Sequence, residues 1–185
     1  MHYLLVSLMI LFLAPGRSFA EINWVKGENE IKRLRLSEFS QVPETVIKKL
    51  KQQGCEVPQV YDTRQPGNLV HGHFSNKSSD DWAALCSKNG KSSIVVIWQK
   101  GSPCPSRFNE KADRDCLQGV GGDRVGFSRQ ISVAKTKTVL RHQKNYGGAL
   151  PSRLDHDGLD DAFLEKESVT YFCESGEWLK LQGSD

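Results

Sequence analysis

The sequence predicts an α+β fold, a mainly antiparallel sheet of about six strands with one or two helices packed on one side. Three observations predict it. Short alternating or continuously apolar runs recur along the chain, glycine-containing turn signals join several of them, and only two stretches combine a helical apolar period with a glycine stop.

The chain opens on a leader. Residues 4–14 (LLVSLMILFLA) form an apolar run broken by Pro15-Gly16 and followed by Ser18-Phe19-Ala20, a small-x-Ala cleavage pattern. Such a run rises only about 16 Å as a helix, roughly half of a hydrocarbon core, so residues 1–20 are expected to be a removed signal peptide rather than an anchor. Residues 21–185 then form a single α+β domain of ordinary size.

Within that domain, residues 33–36 alternate as an edge strand does. Pro43 opens an amphipathic helix over 43–53: Val46, Ile47 and Leu50 share one face, Glu44 stands in the first turn, Lys48, Lys49 and Lys51 follow, and Gly54 is the stop. Strands are expected at 68–74, 82–87 and 92–99, the last two joined through Asn89-Gly90, whose residues tolerate positive φ. Ile94-Val95-Val96-Ile97 is continuously apolar, as in a strand covered on both faces. A strand at 131–133, a helix over 136–146 ended by Gly147-Gly148, and a closing hairpin of 169–174 and 178–181 about Ser175-Gly176 complete the set.

Three segments, 81–87 (DWAALCS), 117–122 (LQGVGG) with 126–129 (GFSR), and 155–161 (DHDGLDD), resemble a group of exported bacterial proteins without an assigned function. The resemblance runs from about Leu34 to the C-terminus. It implies a bacterial envelope or secreted setting.

Five cysteines, none in a C-x-x-C pair, imply structural bridges plus an odd thiol in an oxidising compartment. Local context favours Cys55–Cys86 and Cys104–Cys116, the second closing the polar segment 105–115 at its base, with Cys173 left over on a strand. Loss of the leader removes Arg17 and no acid, so the formal charge falls from +3 to +2. That balance argues against a dedicated nucleic-acid binder, and no later stretch is apolar enough to span a membrane.

Charge is unevenly distributed. Seven basic residues and no acid lie between Arg124 and Arg153, whereas eight acids and only Lys166 lie between Asp155 and Glu177. Either the two segments neutralise one another, or Arg129, Lys135, Lys137 and Arg141 form one exposed face for an anionic envelope ligand.

The acidic segment is the densest cluster of metal-ligand types. Asp155, Asp157, Gly158 and Asp161 fit the third, fifth, sixth and ninth positions of an EF-hand loop, but Arg153 and Leu164 occupy the first and last, where carboxylates are required. A solvated turn is therefore the expectation, with no cofactor, and calcium at Asp155, Asp157 and Asp161 is the alternative. His71 and His73 share a strand face, and zinc there would need His142, His156 or Asp80 as well.

The glycines after Leu117 fail as a phosphate loop, because Arg124 takes the third glycine position of G-x-G-x-x-G and a strand follows. Ser128 lacks the second glycine of a nucleophile elbow. The expectation is therefore an exported, non-catalytic domain that binds an envelope component or partner protein. The alternative is a metal-assisted hydrolase using the 155–161 cluster with His71, His73 or His156.

Overall fold

The computed structural model describes residues 23–183; the leader expected at 1–20 lies outside them. The chain folds as α+β with mainly antiparallel sheet, arranged as two four-stranded sheets and two short ribbons. A single six-stranded sheet was expected, and the extra strands come from segments too polar or too short to be recognised alone.

One ribbon pairs β1 (Arg33–Leu34) with β2 (Val57–Pro58), so the expected 33–36 strand is cut short by a 3-10 turn over Leu36–Glu38. The first sheet has the order β3 (Leu69–Gly72), β4 (Asp81–Lys88), β5 (Lys91–Ile97), β6 (Arg107–Ala112). Asn89 and Gly90 both take positive φ in the β4–β5 turn, as their residue types allow. The second ribbon pairs β7 (Leu117–Gly119) with β8 (Val125–Phe127). The second sheet has the order β12 (Glu177–Gln182), β11 (Glu167–Glu174), β10 (Gly158–Phe163), β9 (Arg129–Ala134). Half of the acidic 155–161 segment is thus strand rather than loop.

The period-two alternation of the strands builds the layers. Between the two sheets lie Ala83 and Leu85 of β4, Ile94 and Val96 of β5, Ile131 of β9, Leu159 of β10, and Tyr171 and Cys173 of β11. The opposite face of the first sheet, with Ala84, Cys86, Val95 and Ile97, is covered by Val46 and Leu50 of α2 (Glu44–Gln52) and by Leu34, Leu36, Phe39 and Val57. The opposite face of the second sheet, with Ala134, Phe172 and Leu181, receives Val139 of α3 (Thr136–Tyr146). Helices therefore cover both outer sheet faces, not one side. A further short helix, α1 (Trp24–Asn29), packs near β8.

Two disulfides tie these layers. Cys55–Cys86 joins the chain after α2 to β4, as expected. Cys104 pairs with Cys173, not Cys116, so the second bridge links the β5–β6 connection to β11 across the two sheets. Cys116 is the odd thiol, buried on a 3-10 turn over Asp113–Cys116. Residues 107–112, expected as loop, are an edge strand of the first sheet. The bridges fit an extracytoplasmic compartment, and among the described residues no helix is long and apolar enough to cross a membrane.

Candidate functional site

Three ion pairs join the basic segment to the acidic one. Arg129 pairs with Asp161 and Lys135 with Asp157, each at 2.8 Å, and Arg153 with Asp155 at 2.7 Å. The two segments of opposite sign thus neutralise part of each other.

Arg129 does not belong to an exposed face. Its side chain is 1% exposed, because position 129 points between the sheets. Its Nε and one terminal nitrogen donate to the two Asp161 oxygens at 2.9 and 2.8 Å. The remaining N–H groups donate to Ser92 O at 2.8 Å and Asn109 O at 2.7 Å. The guanidinium fork meets a carboxylate in its bidentate geometry, and neighbouring carbonyls take the remaining protons. This is structural chemistry in the core.

Lys135 is exposed, but its ammonium is held by Asp157, whose same oxygen accepts from the His73 N–H at 3.0 Å. Lys137 and Arg141 are different. They lie on the solvent side of α3, and Lys144 continues their row one turn on; none of the three has an ion-pair partner among the described residues. The apolar side of the helix, Val139 and His142, faces the sheet. Leu140, 45% exposed, adjoins this row, whereas Tyr146 lies on the His142 side with ring centroids 6.1 Å apart. Lys144, one of the seven basic residues of the segment, was not expected in this face, although 137, 141 and 144 have the i, i+4, i+7 spacing of one helix face.

The carboxylates proposed for calcium do not converge. Asp155, Asp157 and Asp161 each face a different cation, and Asp161 also accepts from the Asn109 amide. Among the described residues no group of three or more His, Cys, Asp or Glu side chains is placed to hold a metal ion. His142 is buried under α3 with Nδ1 at 2.9 Å from Thr170 Oγ1. Both ring nitrogens of His156 face carbonyl oxygens, of Asp157 at 2.9 Å and Cys173 at 3.0 Å. Neither ring reaches His71 and His73, where zinc was considered.

Burial also controls two groups in the core. It pushes the Cys116 thiol up to about 11 and raises the Asp160 carboxyl, which accepts from Thr170 Oγ1 at 2.8 Å. A thiol so raised is a poor nucleophile.

A concavity of about 350 Å³ lies between α1, residues 59–63 and the β7–β8 ribbon. At its rim Arg124 pairs with Asp62 at 3.4 Å, and Lys26 with Glu30 at 3.9 Å, so the local charges are balanced. No protein-family model, curated protein or solved structure matches this chain.

Proposed function

We propose that the protein is an exported domain that binds an anionic component of the bacterial envelope through the outer face of α3. The observation that carries this reading is the row of Lys137, Arg141 and Lys144, unpaired among the described residues, beside the exposed Leu140. Unneutralised cations attract phosphate-bearing surfaces, and adjacent apolar groups gain by leaving water once contact is made. Arg129 and Lys135, expected in the same face, contribute nothing here because carboxylates already hold them.

The test is retention on phosphatidylglycerol vesicles across a salt series, comparing the wild type with a Lys137→Glu, Arg141→Glu, Lys144→Glu variant. Retention of the wild type should fall as the Debye length shrinks from about 10 Å at 0.1 M to about 3 Å at 1 M. The variant should be released at low salt with an unchanged melting temperature. Equal retention of the two overturns the assignment.

A further inference from the structure

Among the described residues, His71 and His73 are the two histidines outside the core, and each leaves one ring nitrogen open. His71 lies on β3 opposite Trp82 of β4, with ring centroids 4.9 Å apart. Gly72 between them points inward, where a Cβ would meet the buried Phe74 ring at 2.7 Å, so the alternation of the strand turns both imidazoles outward.

Each ring has one nitrogen anchored. His71 Nε2 meets the Asp80 carboxylate, and His73 Nδ1 meets the Ser79 carbonyl. A carbonyl only accepts, so Nδ1 of His73 carries the proton and leaves Nε2 with a free lone pair. The carboxylate likewise accepts a hydrogen bond from Nε2–H of His71, which leaves Nδ1 as the ring's open nitrogen. Metal-bound histidines have this second contact, one ring N–H given to a carboxylate or carbonyl, which sets tautomer and orientation.

Distance agrees. Two imidazoles on one ion, with metal–nitrogen bonds of about 2.1 Å, have ring centroids no more than about 6.4 Å apart; those of His71 and His73 are 6.1 Å apart. The nearby ammonium of Lys135 is neutralised by Asp157, and Asp80 adds negative charge at His71.

We propose that His71 and His73 form a two-histidine site for a borderline divalent transition ion, with copper(II) bound most tightly. No third side chain converges among the described residues, so water completes the shell. Imidazole nitrogen with oxygen donors suits the tetragonal preference of copper(II), which also leads the affinity order of the divalent series. This proposal is independent of the α3 surface.

Titration of the disulfide-intact protein with copper(II) chloride tests it, read by tryptophan fluorescence and by electron spin echo modulation. One copper per chain should bind with two coordinated imidazoles. It should quench fluorescence chiefly through Trp82, so Trp82→Phe keeps the affinity and loses most of the quenching. His73→Ala should weaken binding at least tenfold and leave one imidazole. Asp80→Ala should weaken it about tenfold with the imidazole count still two, since Asp80 positions His71 without touching the ion. Unchanged affinity in a folded His71→Ala, His73→Ala double variant, or no saturable binding at micromolar protein, overturns the site.

Discussion

Replacing Arg129 with Met tests whether a charge buried between the sheets is held by its partner or merely tolerated. Both side chains of the Arg129–Asp161 pair are 1% exposed. Arg129→Met removes both hydrogen bonds to Asp161 and those to Ser92 O and Asn109 O, leaving a buried carboxylate with only the Asn109 amide. Breaking a buried pair from one side costs about 3–5 kcal/mol. In a domain of this size that lowers the melting temperature by roughly 6–20 °C. Asp161→Leu should cost a similar amount, for the mirror reason. The double variant Arg129→Met, Asp161→Leu should lose much less than the sum, since no charge is then stranded. Urea unfolding of the four proteins gives the coupling energy. Single variants losing under about 1 kcal/mol, or a double variant losing the full sum, would refute the pairing as the reason these residues lie inside.

Three other outcomes follow from the same packing. Peptide mapping without reduction should recover Cys55–Cys86 and Cys104–Cys173, and a Cys104→Ala, Cys173→Ala variant should lose about 4 kcal/mol, the chain-entropy value for a loop of 69 residues. Cys116, with its thiol near 11, should resist thiol reagents at pH 8 in the folded protein and react fully in denaturant. Burial raises the Asp160 carboxyl, so the folded state holds that proton more tightly than the unfolded one; this contribution is complete below the ordinary carboxylate range and is lost as pH rises through the raised value. Asp160→Asn should therefore flatten the decline in stability over that window, as measured by melting at a series of pH values.

Local signals made some of this fold readable and concealed the rest. The β4–β5 hairpin was legible because Asn89-Gly90 adopts positive φ at both turn positions, and α3 because its period and Gly147 stop lie within one short segment. β6 was hidden because Phe108 is its one large apolar residue, as befits an edge strand. β10 was hidden because Asp161 fills a position where alternation demands an apolar side chain, which makes sense only with Arg129 diagonal to it on β9, 32 residues away. The same long-range logic misled the disulfide reading: Cys104 and Cys116 are neighbours in sequence, but Cys104 meets Cys173 across the sheets. For the surface, Lys137 and Arg141 were visible as charges. Whether a charge is free or paired depends on the tertiary partner, and this separated them from Arg129 and Lys135.

A nuclear magnetic resonance titration of the isotopically labelled protein with anionic bicelles tests the α3 proposal most directly, because it reports every surface at once. A second basic cluster, Lys88, Lys91 and Arg107, lines the far side of the first sheet, with Glu110 holding Lys91 at 3.4 Å, and serves as an internal control. The account predicts salt-sensitive shift changes concentrated at residues 137–150, with the backbone around Lys88 and Arg107 unaffected. Changes centred on Lys88 and Arg107, or none at low salt, would contradict it.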